Sequence, residues 1–373
     1  MQKKILVLGT GGTISSSFET GELGRAPVYS TKEILNFVPQ LYDIAEISID
    51  TPIRDRNRKP TYVDSTNMQP EYVAQIARRI FRGYKKESID GAVVLGGTDS
   101  MEEYASYMAF KLPYKKMPVV VTGAMDPIDK PNSDGINNIL SAVNFASLGI
   151  PGTYVVFHNR IIAGTRARKI NPEDPDAFRS ISFPQIGEFI DGKVHLSEEA
   201  MGIVNARLKR FEHKEMALMD GFAEYSTHLL PLYMSFKPSI IDYFFGDGYM
   251  SLIIEAFGTG GVPNIPRNRS LLPKIKKWSD DRLMFITSQT FTGQVTTEYE
   301  VTNRALQAGV ISLRDMLSKT ATVKGTWVFG QTRDLSDAKK LMLYPFENEI
   351  NEQRIAEKER TPDEEVERIF HRK

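Results

Sequence analysis

Two glycine-threonine turns, each at the end of a β-branched apolar run, hold the side chains of this sequence that could do chemistry. The first turn is Gly9–Thr13 and the second is Gly96–Ser100. In an open parallel sheet the carboxyl ends of neighbouring strands face a common crevice. We therefore expect Thr13, Thr98 and Asp99 to lie together in such a crevice. Two threonine-containing turns in one sheet, with an aspartate in the second, are more than the making of tight turns requires.

A base would complete this set, because a threonine hydroxyl is a poor nucleophile until a neighbouring group removes its proton. An amine held unprotonated by burial and neighbours can be that base. The candidate is Lys169, which follows an apolar run at residues 153–157. Taken alone, Lys169 is one cation in a basic loop, so these residues indicate threonine chemistry only as a hypothesis.

Other motifs and the composition exclude several functions. A dinucleotide fingerprint needs a third glycine where this chain has Ile14, and no Gly-Lys-Ser or Gly-Lys-Thr follows as in a P-loop. Lysine plus arginine and aspartate plus glutamate both number 47, so no global charge attracts nucleic acid or a membrane surface. The absence of cysteine removes thiol nucleophiles and cysteine-ligated metals, and none of the five histidines forms an HExxH motif.

The alternation of short apolar runs with helical stretches predicts a mostly parallel α/β sheet. The predicted strands are residues 4–8, 44–49, 91–95, 118–122 and 153–157, and the predicted helices are 31–38, 70–83, 100–111 and 134–148. Residues 185–196 carry Asp191-Gly192 between two alternating runs, which indicates a hairpin. No run reaches transmembrane length, and the apolar run that follows the first four residues is too short for a signal peptide. We therefore expect a cytoplasmic protein.

We predict two α/β domains joined by a charged connector. Residues 1–196 form the larger domain with the possible catalytic turns, residues 197–225 the connector, and residues 226–345 a smaller α/β domain. The charged tail, 346–373, contains an expected helix whose signals are Thr361 as N-cap, proline next and an acid at the capping-box position. Its narrow apolar stripe is expected either to dock on its own domain or to contact another subunit.

The order of the motifs resembles that of the L-asparaginase and glutaminase family of threonine amidohydrolases. The matching segments are Gly9–Ile14, Asp64–Met68, Gly97–Glu102, Val120–Met125, Asp134–Val143 and Gly164–Lys169. The resemblance extends from about residue 3 to residue 330 and leaves the tail outside.

Carried onto this sequence, the resemblance implies that Thr13 attacks a side-chain amide, giving an acyl-enzyme and ammonia. Thr98, Asp99 and Lys169 would form the polar relay, with Asp99 also binding the substrate α-ammonium, and Ser65 would hold the α-carboxylate. The resemblance implies no cofactor or metal, a small amide amino acid as substrate, and a homodimer or homotetramer. The further substrate-binding candidates are Asp64, Gly97 and Gly12.

Three positions depart from the family pattern. Many members carry a tyrosine in a mobile loop, or lid, after the first motif, where this chain has Arg25 and, four residues later, Tyr29. The lid could use either of these side chains or none, and we expect Arg25 to contact a carboxylate of the substrate or of the loop. A histidine often precedes the second Gly-Thr-Asp, and Gly96 replaces it. Gly261 stands where relatives often place an asparagine that reaches the site of a neighbouring subunit.

Two readings compete with a free asparaginase. Segments Gly21–Pro27 and Asp176–Ser180 also resemble the amidase subunit that supplies ammonia to a tRNA-dependent amidotransferase. That subunit normally has an additional amino-terminal domain, which we expect to be absent because the first motif begins at residue 9. A catalytically silent binding protein on the same fold is the third reading, disfavoured by the retained relay residues. Asparagine is favoured over glutamine as the substrate.

Overall fold

The protein is described by a computed structural model over residues 2–17, 19, 26–265, 268–355 and 357–371. Contacts divide the chain into two compact units, Met1–Asp220 and Gly221–Lys373. The first unit contains an eight-stranded sheet and a two-stranded ribbon, and the second contains a four-stranded sheet.

The first unit alternates strands with helices, as the sequence predicts. Its strands are β1 Lys4–Gly9, β2 Glu46–Asp50, β3 Gly91–Leu95, β4 Pro118–Thr122, β5 Gly152–Phe157, β6 Arg160–Ala163, β7 Ala167–Lys169, β8 Phe178–Ser180, β9 Gly187–Ile190 and β10 Lys193–Leu196. Its helices are α1 Thr31–Asn36, α2 Leu41–Ile44, α3 Pro70–Arg82, α4 Met101–Lys111, α5 Asp134–Ser147 and α6 Glu198–Arg210. The predicted second strand begins later than expected because α2 occupies residues 41–44. Helix α6 lies within the segment expected to be a connector.

The large sheet has the strand order β10-β9-β6-β5-β4-β3-β1-β2, and β2 through β5 are parallel. Strands β3, β4 and β5 are buried along their whole length, which explains their continuous apolar sequences. Strand β1 lies between β2 and β3, so the strand order reverses there. This reversal opens a crevice beyond the carboxyl ends of β1 and β3.

The predicted hairpin is confirmed as the antiparallel pair β9 and β10. Both turn residues have positive φ, 48° at Asp191 and 74° at Gly192. Two successive positive φ angles match the right-handed twist of a hairpin, and aspartate-glycine tolerates them well.

The second unit is built on a parallel sheet in the order β11-β12-β13-β14. Its strands are β11 Thr227–Pro231, β12 Ser251–Ala256, β13 Leu283–Ser288 and β14 Ile311–Ser312. Its helices are α7 Ile240–Gly246, α8 Leu272–Trp278, α9 Glu300–Ala308, α10 Ser318–Gln331, α11 Leu335–Leu343 and α12 Asp363–His371.

The tail helix α12 docks on its own unit. Val366 is fully buried and Ile369 is 3% exposed, while the Phe370 ring lies 6.1 Å from that of Trp327. The helix begins at Asp363, and the Thr361 hydroxyl lies 3.5 Å from the Lys340 carbonyl. Of the two fates expected for the apolar stripe, docking within the unit is therefore the one observed.

Candidate active site

The two glycine-threonine turns meet at the crevice between β1 and β3. Gly9 pairs with Leu95 at the ends of these strands, so both turns leave the sheet side by side. The backbones then approach so closely that a Cβ atom on Gly12 would lie 2.2 Å from the Gly97 Cα. Only glycine permits this approach, and Gly12 also has a φ of 78°.

Three hydrogen-bonded side chains, Thr98, Asp99 and Lys169, lie at the crevice, and we call them the relay after the role that the family resemblance implies. The Lys169 Nζ donates to Thr98 Oγ1 at 2.8 Å and to Asp99 Oδ1 at 2.7 Å. Thr98 is 5% exposed, and the side chains of Lys169 and Asp99 are 13% and 55% exposed. The amine is thus held inside the protein, while the Asp99 carboxylate remains open to a ligand.

Ser65 joins this group from the loop before α3. Its hydroxyl accepts from the Asp99 N–H at 3.2 Å and lies 3.4 Å from Asp99 Oδ2. Asp64, by contrast, is exposed and caps the short 3-10 turn Ser65–Asn67. Its carboxylate accepts from the Thr66 N–H and hydroxyl at 2.9 and 2.6 Å. The structure therefore brings Ser65 to the relay and engages Asp64 in the turn.

Lys169 is positioned by the ribbon that β7 forms with β8. It pairs with Phe178 across this ribbon, and its backbone N–H donates to Glu102 Oε2 at 3.4 Å. Arg168 reaches the same carboxylate at 3.7 Å. In the connection between β7 and β8, which leaves the ribbon beside Lys169 and Phe178, hydrogen bonds from Arg160 lead the causes that hold the pKa of Asp176 well below its usual range.

Thr13 begins a 3-10 turn directly after Gly12, and its hydroxyl has no hydrogen-bond partner among the described residues. The Gly12 N–H donates to the Val63 carbonyl at 3.0 Å, so it is already engaged. Within the same described residues, the N–H groups of Gly97 and Thr98 carry no such bond. These two amides are therefore the available donors of the second turn.

The structure explains one departure from the family pattern. A Cβ on Gly96 would lie 2.6 Å from the Tyr104 hydroxyl and 2.7 Å from Thr10 Oγ1, so a side chain here needs a rearrangement. The Tyr104 hydroxyl donates to the Gly97 carbonyl at 3.0 Å. Burial raises the pKa of Tyr104, which keeps it a neutral donor.

The other departures fall differently. Arg25 lies outside the described residues, so its expected role in the loop remains a prediction. The Tyr29 hydroxyl donates to Asp129 Oδ2 at 3.0 Å. A Cβ on Gly261 would make only ordinary contacts, the nearest at 3.5 Å, so nothing in the second unit requires glycine there.

Sequence reasoning missed the groups that hold the relay in place, above all Glu102 and Tyr104. Both lie in α4, directly after the Thr98-Asp99 turn, and both are buried. The signal that could have drawn attention to Glu102 is its place in the first turn of a mostly apolar helix, directly after the Thr98-Asp99 turn.

No cluster of three or more histidine, cysteine, aspartate or glutamate side chains suited to a metal occurs in the part of the chain that the structure describes. Within those same residues no helix is both long and apolar enough to span a bilayer.

The open α/β sheet, with Thr98, Asp99 and Lys169 at its switch point, agrees with the class of protein that the comparisons show, an amidohydrolase. The chain belongs to the asparaginase family: the model for "Asparaginase, N-terminal" matches residues 4–202, and that for "Glutaminase/Asparaginase C-terminal domain" matches residues 228–342.

The chain is similar in sequence to two relatives and in structure to one solved protein. The L-asparaginase of Thermococcus kodakarensis is 33% identical over 348 residues, covering 93% of this chain and 99% of that protein. A Glutamyl-tRNA(Gln) amidotransferase subunit from Pyrococcus furiosus is 32% identical over 361 residues, covering 93% of this chain and 76% of that protein. The structure of the thermostable L-asparaginase from Thermococcus kodakarensis matches with a TM-score of 0.79 and 32% identity, covering 93% and 99% of the two chains.

Proposed function

We propose that this chain is an L-asparaginase that hydrolyses L-asparagine to L-aspartate and ammonia. The observation that carries the proposal is the Lys169 amine, bonded to both Thr98 Oγ1 and Asp99 Oδ1 in the crevice where Thr13 follows β1. The L-asparaginase relative, which aligns with 93% of this chain, supports it.

In the first step Thr13 Oγ1 attacks the side-chain amide carbon of the substrate. A C–O bond forms, the C–N bond breaks, and the hydroxyl proton leaves on the nitrogen as ammonia. Thr98 and Lys169 are the pair that moves protons, since Oγ1 and Nζ lie 2.8 Å apart. The N–H groups of Gly97 and Thr98 are the donors that we assign to the developing oxyanion.

In the second step water attacks the ester carbon of the acyl-enzyme. The C–O bond to Thr13 breaks, one water proton returns to its Oγ1, and aspartate is released. The half-exposed Asp99 carboxylate would hold the α-ammonium of the substrate, and the Ser65 hydroxyl would hold the α-carboxylate. No step needs a metal or a cofactor.

The preference for asparagine over glutamine is a separate part of the proposal. The two substrates differ by one methylene, which a fitted pocket distinguishes by about 1–3 kcal/mol. We also keep as predictions a homodimer or homotetramer and a cytoplasmic location.

The ammonia-supplying subunit of a tRNA-dependent amidotransferase is the second candidate. The specific observation for it is the 32% identity to the Pyrococcus furiosus amidotransferase subunit. Such a subunit would need a partner protein and a charged tRNA, whereas an asparaginase acts alone on the free amino acid.

Ammonia release by the purified full chain tests the proposal. With L-asparagine alone we expect sustained turnover that exceeds turnover with L-glutamine. The Thr13→Ala and Thr98→Ala variants should each lose at least about 10³-fold in kcat, because residues of a relay act as a unit. Thr322→Ala is the matched control, because it removes a hydroxyl that only donates to the Ser318 carbonyl in α10.

Three results would overturn parts of this proposal. No ammonia from asparagine by the chain alone rejects the asparaginase, and release that requires a partner and charged tRNA favours the amidotransferase subunit. Near-wild-type turnover in either threonine variant rejects the role of that threonine.

A further inference from the structure

The Asp129 carboxylate binds Ser17 and Tyr29, which stand on the two sides of the loop after Thr13. Its Oδ2 accepts from the Ser17 hydroxyl at 2.8 Å and from the Tyr29 hydroxyl at 3.0 Å. All three side chains are half-buried. One carboxylate oxygen thus joins two points that are well separated along the chain.

The backbone brings the same two ends together. Ser16 and Pro27 form an antiparallel bridge, and the N–H groups of Val28 and Tyr29 both donate to the Ser15 carbonyl, at 2.8 and 2.9 Å. Ser15 ends the 3-10 turn that begins at Thr13, and Ser16 follows it, so these bonds join Pro27–Tyr29 to the backbone next to Thr13.

The loop that carries Asp129 is well braced. Ile128 is 1% exposed and belongs to the core of the first unit. The Lys130 amine donates to Asp126 at 2.7 Å, and Asp134 accepts from the backbone N–H of Met125 and Asp126 at 3.0–3.1 Å. The loop after β4 therefore holds the Asp129 acceptor in a defined position.

Tyr29 uses its proton in this contact. The hydrogen bond to Asp129 is the main cause that raises the pKa of Tyr29, so its hydroxyl stays protonated and donating. Its ring packs edge-on against Phe37, with centroids 5.8 Å apart. A tyrosine held in this way anchors the chain and does not serve as a base toward substrate.

We propose that Asp129 is a positioning residue for the amidohydrolase reaction, acting through Ser17 and Tyr29 on two paired stretches of backbone, Ser15–Ser17 next to Thr13 and Pro27–Tyr29 bonded to it. The inference rests on the proposed function for its kinetic part. It also gives Tyr29 the role of an anchor, which differs from the lid tyrosine expected from the family pattern.

A double-mutant cycle tests this inference, using Asp129→Ala, Tyr29→Phe and the double variant. Loss of the charged acceptor should lower kcat/KM with L-asparagine by about tenfold or more, the range of a charge-assisted hydrogen bond. Because Tyr29 acts through Asp129, the double variant should lose no more than Asp129→Ala alone. Asp129→Asn keeps an acceptor oxygen and should retain more activity than Asp129→Ala.

Asp90→Ala is the matched control, because Asp90 also accepts two hydrogen bonds, from Lys3 and Lys4, but at the amino ends of β1 and β3, away from the crevice at their carboxyl ends. It should keep wild-type kcat/KM. Effects of the two substitutions that multiply fully in the double variant would overturn the proposal, as would wild-type kcat/KM in Asp129→Ala.

Amide hydrogen exchange separates this inference from the proposed function. In Asp129→Ala the amides of Val28 and Tyr29 should exchange faster, whatever reaction the protein catalyses. Unchanged exchange would overturn the anchoring role, whereas an inactive wild-type chain with faster exchange in the variant would overturn only the asparaginase.

Discussion

At the scale of single residues, the relay depends on one amine that reaches two acceptors. Lysine suits this position because its ammonium is a compact group on a flexible stem, whereas an arginine fork is planar and remains charged. The sequence was sufficient to predict that Thr98, Asp99 and Lys169 lie close together, because turn residues and the order of the motifs mark them. Glu102, Tyr104 and Asp129 could not be predicted, because their contacts come from tertiary packing that local sequence does not encode.

Replacement of Lys169 tests the amine directly. Lys169→Met should abolish ammonia release, and Lys169→Arg should fail to restore it, since guanidinium keeps the charge but cannot take up a proton at working pH. The measurement is kcat with L-asparagine. Lys193→Met, on the exposed edge strand β10, is the control and should leave kcat unchanged.

An active Lys169→Arg variant would show that the position needs positive charge and not proton transfer. Activity near wild type in both variants would show that Lys169 has no role in the reaction.

At the scale of elements, the site follows from the order of the strands. The sequence was sufficient to predict β1, β3, β4 and β5 because buried parallel strands are continuous β-branched runs between turn residues. The β7–β8 ribbon was not predicted, since each of its strands has only three residues and leaves little periodicity to detect. The sequence predicts a connector in place of α6 because the charged surface of this helix masks its two buried apolar positions.

Helix α4 begins directly after the Thr98-Asp99 turn and ends at Lys111, a buried lysine that donates to the Asp220 carbonyl at 2.9 Å. Burial lowers the pKa of Lys111 to about 8. Between that pH and the ordinary lysine pKa of about 10.4, the unfolded chain binds more protons than the folded one, so stability should rise with pH.

We therefore predict a pH-dependent difference between the wild type and Lys111→Met. From about pH 7.5 to about pH 9.5 the wild type should gain roughly 1–2 kcal/mol of unfolding free energy relative to the variant. Denaturant unfolding at the two pH values measures it. Lys116→Met, which removes a half-buried lysine that also donates to carbonyls, should keep the wild-type trend. A wild type that loses unfolding free energy relative to Lys111→Met as pH rises would contradict this prediction.

At the scale of the whole molecule, each of the two units has its own sheet and core. The tail was the least predictable part, because a narrow apolar stripe does not reveal which surface it covers. The start of the tail is held in the second unit by a fully buried ion pair, in which the Lys324 amine lies 2.6 Å from Glu349 Oε1. Lys324 also donates to the carbonyls of Met342 and Tyr344, where the chain leaves α11.

Removal of one partner should destabilise the second unit. Glu349→Ala leaves the Lys324 ammonium buried without its counter-ion, which costs about 3–5 kcal/mol. The double variant Lys324→Met with Glu349→Leu should recover only part of that loss. An apolar pair of similar volume needs no counter-ion, but the N–H groups of Phe346 and Glu347 still lose their acceptor, Glu349. Equilibrium unfolding measures both, and a loss below about 1 kcal/mol in Glu349→Ala would show that the pair does not support the tail.

The central claim is that Thr13 carries the acyl group, and the most direct measurement is to locate that group. The protein is quenched in acid during turnover of L-asparagine, digested, and its peptides are analysed by mass spectrometry. The account predicts an aspartyl ester on the peptide that contains Thr13, and its absence from the same peptide of Thr13→Ala. An ester on Thr98, or an adduct that persists in Thr13→Ala, would contradict it.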